Sequence, residues 1–261
     1  MAIFDKGEGP PLVLVPGLQG RWEWAKPALQ HLARRCRAIS YSLSGDFGSR
    51  RRLDPRLGFE NYVRQLDEVL DAAGLERAAI CGVSFGGFVA VRYAAMRPER
   101  VSALVLASAP GPEWEPNPQQ ARWISRPWWA APAFVLTSPL RVWPEISAAL
   151  PTIADRAGFF VRQTLRCAAA PMNPALMASR IRSAEASDFR GDCARIVAPT
   201  LVVTGEEGLD RVVPVRSTRT YASLIPRADY VMLTGTGHMG LLTQPARFAD
   251  VVSGFVHANH Q

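Results

Sequence analysis

Short apolar runs alternate with amphipathic stretches over the first 110 residues. The apolar runs are continuous and end at small or turn-forming residues, which is typical of strands buried on both faces of a sheet. The strands predicted from these runs cover residues 10–17, 37–42, 78–84 and 101–110. Apolar residues recur at helical spacing over 59–73, and a second helix is predicted over 85–98. Because parallel strands need long crossovers, this order predicts an α/β fold with a mostly parallel central sheet and helices on both faces.

The pattern changes after residue 110 and returns near residue 191. Tryptophan, proline, arginine and alanine dominate residues 111–190, which contain helix-like pieces such as 157–170 and no convincing strand. The order of strand and helix resumes in four segments, at residues 198–208, 217–226, 228–238 and 244–257. We therefore predict one core built from residues 1–110 and 191–261, with a helical insertion over 111–190.

Composition places the chain among ordinary globular proteins, because 48% of its 261 residues are hydrophobic and 20% are charged. The formal charge of +7 comes almost wholly from arginine, since the chain has only two lysines. Arginines are dense only at 33–37 and 49–52, and neither segment belongs to a nucleic-acid-binding motif. We interpret both segments as solvated surface and expect no nucleic-acid partner.

The remaining composition argues against a membrane or metal protein. No stretch has the length of a membrane span, and the N-terminus has the wrong order of charged and apolar residues for a signal peptide, so we expect a cytoplasmic protein. The cysteines show neither CxxC spacing nor a cluster with histidine, and we expect reduced, structural thiols and no metal site. They are Cys36, Cys81, Cys167 and Cys193.

Ser84 stands between Gly82 and Gly86, where a predicted strand ends and a predicted helix begins. A serine on such a tight turn points its hydroxyl away from the sheet, and the N-terminus of the following helix favours negative charge there. A bare GxSxG pattern also occurs at turns that carry no chemistry. A nucleophilic serine needs a base as well, because its free hydroxyl is a poor nucleophile at neutral pH.

The chain offers four histidines as the base. His31 lies in a predicted helix after the first strand, and His257 and His260 lie in the C-terminal tail. Only His238 follows a predicted strand in a glycine-rich loop, "LTGTGHMG", from which it can reach across the edge of the sheet. Elimination therefore favours His238.

The base also needs a carboxylate that orients it and stabilises its protonated form. Three acids follow a predicted strand within "LVVTGEEGLDRVVP". We place Asp210 first, Glu207 second and Glu206 third, and the choice among them stays open at this point.

Taken together, these segments resemble the α/β-hydrolase superfamily. "GVSFG" (82–86) is similar to the nucleophile elbow, "GEEGLDRVVP" (205–214) to the acid loop, and "GTGH" (235–238) to the histidine loop. The resemblance implies an α/β-hydrolase fold with Ser84 as nucleophile, Asp210 as orienting acid and His238 as general base. It implies no metal or organic cofactor.

The loop after the first predicted strand departs from the family pattern. The family often has His-Gly there, whereas this chain has "VPGLQG" (15–20), with Pro16 in place of the histidine. The oxyanion-hole donors that the resemblance implies are the backbone amides of Leu18 and Phe85.

In this superfamily, an insertion at 111–190 resembles the cap that covers the active site. Five tryptophans fall within thirty residues of it: Trp114, Trp123, Trp128, Trp129 and Trp143. Because aromatic side chains form large apolar walls, we hypothesise that they bind an apolar or aromatic small-molecule substrate. The alternative is that they pack the cap against the core.

Three functions remain open. The first is a serine hydrolase of carboxylic esters, lactones or thioesters that works through an acyl-enzyme. The second is a carbon–carbon bond hydrolase of aromatic degradation, which needs a cap arginine for the substrate carboxylate; the cap arginines weighed are Arg122, Arg126, Arg162 and Arg166. The third is a ligand-binding receptor on the same fold with little turnover.

Overall fold

The computed structural model describes residues 3–49 and 51–260, and these contain one seven-stranded sheet. The strands are β1 (Ile3–Lys6), β2 (Pro11–Val15), β3 (Arg37–Tyr41), β4 (Ala78–Val83), β5 (Val101–Ala107), β6 (Thr200–Thr204) and β7 (Ala228–Met232). Their order in the sheet is β1-β3-β2-β4-β5-β6-β7. All neighbouring strands are parallel except β1, which pairs antiparallel with β3. The predicted mostly parallel sheet is confirmed.

Helices cover both faces of this sheet. The core helices are α1 (Lys26–Leu32), α2 (Glu60–Ala72) and α3 (Phe85–Met96), followed after β6 by α9 (Val215–Arg219), α10 (Tyr221–Leu224), α11 (Gly240–Thr243) and α12 (Pro245–Ala258). One apolar cluster joins α2, α3 and α10 to one face of the sheet, and a second joins α1 and α12 to the other. Every residue of β4 and β5 is buried, as expected of strands that are covered on both sides.

Five helices lie between β5 and β6, and the structure describes every residue of this stretch and shows no strand there. They are α4 (Pro118–Ser125), α5 (Pro127–Ala149), α6 (Ile153–Ala169), α7 (Pro174–Glu185) and α8 (Phe189–Cys193). Side-chain oxygens of Asn117, Thr152 and Asn173 accept hydrogen bonds from the first free N–H groups of α4, α6 and α7, which explains where these helices begin. The bounds 111 and 190 of the insertion stay a prediction.

Two sequence expectations differ from the structure in detail. Strand β1 has no counterpart among the predicted strands, and the segment 217–226 overlaps two short helices, α9 and α10, that meet at Thr220. In the part of the chain that the structure describes, no helix is long and apolar enough to cross a membrane. The same residues contain no group of three metal-ligating side chains placed to hold an ion.

Glycines allow α3 to lie very close to the sheet. A Cβ on Gly82 would stand 2.4 Å from the carbonyl oxygen of Gly86, and one on Gly86 would stand 2.4 Å from the carbonyl oxygen of Val15. A Cβ on Gly87 would stand 2.3 Å from the Cβ of Ala109. Backbone atoms of β2, β4 and α3 are therefore in contact around the turn that follows β4.

We expect Gly82→Ala to lower the free energy of unfolding by about 1–3 kcal/mol, because the added methyl group meets backbone that cannot yield without moving α3. The control is Gly254→Ala on α12, where an added Cβ meets nothing within 4 Å. That substitution should raise the free energy of unfolding by about 0.5–1 kcal/mol. Urea unfolding of both variants measures the two effects, and equal stability of Gly82→Ala and the parent chain would contradict the close approach.

Candidate active site

Ser84 lies at the turn between β4 and α3 in a strained backbone conformation. Its φ is 51° and its ψ is −123°, a region that non-glycine residues rarely adopt. The Ser84 N–H donates to the carbonyl of Ala107 on β5 at 2.9 Å, and the Ser84 carbonyl accepts from the Gly87 N–H at 2.8 Å. The sheet and the helix thus hold the residue from both sides, and its side chain is half-buried.

His238 connects Ser84 to Asp210. Its Nε2 lies 3.2 Å from the Ser84 Oγ, and its Nδ1 lies 3.2 Å from Oδ2 of Asp210. The other carboxylate oxygen of Asp210 accepts from the N–H groups of Val212 and Val213, each at 2.9 Å. Asp210 is therefore fixed by its own loop, and it in turn orients the imidazole.

Asp210 and His238 each stabilise the charged form of the other. Burial alone lowers the pKa of His238, but the charge and hydrogen bond of Asp210, together with the charge of Glu145, outweigh burial and hold the pKa above its usual value. Burial alone raises the pKa of Asp210, but the charge and hydrogen bond of His238 and the two backbone donors bring it below its usual value. A carboxylate that stays ionised beside an imidazole equips that imidazole to take a proton from the serine hydroxyl.

The other acids and histidines stand elsewhere. Glu206 accepts from the Gly235 N–H at 2.6 Å and so ties the acid loop to the histidine loop, while Glu207 is exposed. His31 lies on α1, and His257 on α12 contacts the carbonyl of Arg35 at 2.8 Å. His260 is exposed near the C-terminus. The structure brings only Asp210 of the three acids, and only His238 of the four histidines, to Ser84.

The two expected oxyanion donors belong to segments next to Ser84. Phe85 is the first residue of α3, where a backbone N–H has no partner within the helix. The loop that carries Leu18 touches Ser84, since a Cβ on Gly17 would stand 3.4 Å from the Cβ of Ser84. Among the residues that the structure describes, neither the Leu18 nor the Phe85 N–H donates to a backbone acceptor outside the regular elements. Their role in an oxyanion hole stays a prediction.

An arginine of the inserted helices, missed by the sequence analysis, supports the Leu18 loop. Arg180 on α7 is fully buried and donates to the carbonyl of Leu18 at 2.9 Å. It also forms an ion pair with the buried Asp46, in the loop after β3. No sequence motif distinguishes Arg180 from the other arginines of the insertion, because its partners come from distant parts of the chain.

A carboxylate of the inserted helices, also missed, supports the histidine loop. Glu145 near the end of α5 is buried, and its Oε2 accepts from the N–H of Met239, the residue after His238, at 2.8 Å. Its Oε1 accepts from the Thr243 hydroxyl at 3.1 Å.

The predicted substrate-binding tryptophans lie apart from one another. Trp114 packs against the core, Trp123 meets Phe134 edge to face and Trp143 stacks on Phe160. Trp128 and Trp129 are 64% and 88% exposed. No described hydrogen bond or ring contact joins any of the five to Ser84 or His238, and their role in binding stays a prediction.

The chain is similar over nearly its whole length to known hydrolases. It is 28% identical over 261 residues to "Putative carbamate hydrolase RutD" of Pseudomonas syringae pv. syringae (strain B728a), covering 95% of this chain and 94% of that protein. It is 28% identical over 262 residues to 2-hydroxymuconate semialdehyde hydrolase of Pseudomonas sp. (strain CF600), covering 97% and 89%. A solved structure of a thermophilic esterase from Thermogutta terrifontis shares the fold, with a TM-score of 0.79, 23% identity and coverage of 99% and 93%.

Residues 12–251 match the model of the Alpha/beta hydrolase family. The matched range begins in β2 and ends in α12, so it takes in all of the parallel part of the sheet except Pro11, together with the loops of Ser84, Asp210 and His238. The resemblance stated from the sequence motifs is confirmed: the chain belongs to the alpha/beta hydrolase family.

Proposed function

We propose that this hydrolase is a serine enzyme that cleaves ester-type acyl bonds of apolar or aromatic small molecules through an acyl-enzyme. The observation that carries the proposal is the unbroken path from Ser84 through His238 to Asp210, with 3.2 Å at each step. The path starts at a serine held in a strained turn at the start of a helix. These are the parts that acyl transfer to a serine requires.

In the first half of the reaction, the Ser84 hydroxyl attacks the substrate carbonyl while its proton passes to Nε2 of His238. The carbonyl oxygen gains negative charge, which the N–H groups of Leu18 and Phe85 stabilise. The bond from the carbonyl carbon to the leaving heteroatom then breaks as His238 gives its proton to that heteroatom, and the acyl group remains on Ser84. The ionised Asp210 stabilises the protonated imidazole between these two transfers.

In the second half, His238 takes a proton from water, and the resulting hydroxide attacks the acyl carbon. The bond from that carbon to the Ser84 oxygen breaks, and Ser84 regains its proton from His238. Every proton and electron pair in the cycle is accounted for by side chains, two backbone amides and water. The proposal therefore needs no metal or organic cofactor.

The substrate class follows from this chemistry. Esters, lactones and thioesters each present a carbonyl with a heteroatom leaving group, and so does a carbamate, the substrate in the name of one relative. All four fit the same nucleophile and proton path. The support for apolar members of this class is the composition of the insertion, which carries five tryptophans.

A carbon–carbon bond hydrolase is the second function, and the relative named as 2-hydroxymuconate semialdehyde hydrolase favours it. A substrate carboxylate would then need a cation from the insertion. Arg122, Arg126 and Arg162 have exposed side chains, and Arg166 is half-buried and donates to Gln163. A receptor with little turnover is the third function, and repeated turnover by the purified protein excludes it.

We expect the purified protein to hydrolyse p-nitrophenyl acyl esters with repeated turnover, and Ser84→Ala to lower kcat by at least about a thousandfold, because the nucleophile is lost. Mass spectrometry after rapid acid quench should find the acyl group on the peptide that contains Ser84. Equal rates for the two proteins would disprove the role of Ser84. Turnover of a 2-hydroxy-6-oxo-dienoate with no ester cleavage would establish the carbon–carbon function instead.

We expect Asp210→Asn to lower kcat about 10³- to 10⁴-fold, because the amide cannot stabilise the protonated imidazole. His238 accepts a proton only when neutral, so its raised pKa moves the acidic limb of kcat/KM to a higher pH than an unperturbed histidine would give. Loss of the Asp210 charge should move this limb to lower pH.

The matched control is Glu207→Gln, which removes a carboxylate from the same loop at an exposed position. Its pH profile of kcat/KM should coincide with that of the parent enzyme. A large loss of kcat in Glu207→Gln, with little loss in Asp210→Asn, would assign the orienting role to Glu207 instead.

A further inference from the structure

One carboxylate of the inserted helices faces the histidine loop. Helix α5 is exposed along most of its length, but Glu145 and Ile146 near its end are buried, with Glu145 only 1% exposed. Both oxygens of Glu145 accept hydrogen bonds, one from the Met239 N–H at 2.8 Å and one from the Thr243 hydroxyl at 3.1 Å. Burial raises the pKa of the Glu145 carboxyl above its usual value, while its hydrogen bonds with the backbone and with Thr243, and the charge of His238, act in the opposite direction.

An apolar cluster lies next to this carboxylate. It joins α5, α6 and α11, and its members are Ile146, Phe159 and Leu242, with Val142, Leu150, Phe160, Met239 and Leu241 packed against them. Its buried members differ from those of the two clusters that flank the sheet, and Leu241 packs against both this cluster and the one that contains α1 and α12. A charge in such a low-dielectric place acts strongly on its neighbours.

The charged groups nearby, other than His238, are engaged elsewhere. Arg141 on α5 donates to the carbonyl of Phe134 and the hydroxyl of Ser138. On α6, Arg156 donates to the carbonyls of Ser147 and Leu150, and Asp155 bonds to Thr152. The ion pairs found among the described residues do not include Glu145. The charge of His238, which contacts Asp210 and Ser84, lowers the pKa of Glu145, and the charge of Glu145 raises the pKa of His238.

We propose that Glu145 is a positioning residue that fixes the loop of the general base and stabilises the protonated form of His238 from the side of the insertion. The proposal rests on the proposed function, since it takes His238 as the base. The bond to the Met239 N–H fixes the peptide that follows His238, and the carboxylate charge favours the imidazolium formed when Ser84 gives up its proton. The base is thus complete only while the end of α5 rests on the core.

Two variants separate these effects. In Glu145→Gln, the amide oxygen can still accept from the Met239 N–H and the amide nitrogen can donate to the Thr243 hydroxyl, so the geometry is kept and the charge is lost. We expect this variant to retain most of the plateau kcat while the acidic limb of kcat/KM moves to lower pH. In Glu145→Ala both bonds are lost, and we expect the plateau kcat to fall about 10- to 100-fold with less change in KM.

The pKa of the His238 imidazole should also be measured by NMR without substrate, its signal being the one absent from His238→Gln. We expect a lower pKa in Glu145→Gln than in the parent, and an unchanged pKa in the control Glu185→Gln, which removes an exposed carboxylate from α7. Identical titrations of Glu145→Gln and the parent, with Glu145→Ala losing thermal stability but not kcat, would overturn the proposal. If Glu145→Ala does not fold, the Glu145→Gln titration decides alone. Because this titration needs no turnover, failure of the parent to cleave any ester overturns the proposed function separately.

Discussion

The strained backbone of Ser84 is the constraint around which this molecule is arranged. A residue with φ of 51° costs on the order of 1–3 kcal/mol and persists only where its surroundings impose it. Strand β5 provides the acceptor for the Ser84 N–H, the carbonyl of Ala107. Helix α3 provides the donor to the Ser84 carbonyl, the N–H of Gly87. Both hold their positions because β4 and β5 are buried along their full length and because glycines at 82 and 86 let backbone meet backbone. The sheet and α3 therefore fix the backbone that carries the Ser84 hydroxyl.

Two loops from different parts of the sheet approach that hydroxyl. Each loop is hydrogen-bonded to a buried charged side chain of the inserted helices. Arg180 binds the carbonyl of Leu18 in the loop after β2, and Glu145 binds the N–H of Met239 in the loop after β7. A buried charge costs several kcal/mol unless other groups compensate it. Asp46 compensates Arg180, while a backbone donor, Thr243 and the adjacent imidazole compensate Glu145. Through these two polar groups the inserted helices contact both the loop after β2 and the loop after β7.

The sequence predicts the parts of this arrangement that depend on local pattern. The buried strands β4 and β5 are continuous apolar runs, so they could be located without coordinates. Ser84, Asp210 and His238 could be located as well, because each lies in a short motif. Strand β1 could not, since two of its four residues are charged and its only neighbour is the edge of β3. Glu145 and Arg180 could not either, because their partners lie 94 and 162 positions away in the chain. Contacts of that kind exist only once the fold is complete.

Helix α5 shows why the tryptophan-rich composition of the insertion was a weak guide to its contacts. Trp129, Leu136, Leu140 and Trp143 recur at helical spacing, a pattern that on a core helix marks the buried face, yet all four are exposed. Leu136 and Glu145 are about two and a half turns apart at 3.6 residues per turn, so they point to opposite sides of the helix. The apolar stripe thus faces away from the histidine loop, and the polar Glu145 faces towards it. Helix α5 contacts the histidine loop in two ways: Ile146 and Val142 belong to the apolar cluster that includes Met239, and Glu145, which composition would have placed on the surface, accepts from the Met239 N–H. The buried carboxylate is satisfied by hydrogen bonds that an apolar side chain could not make.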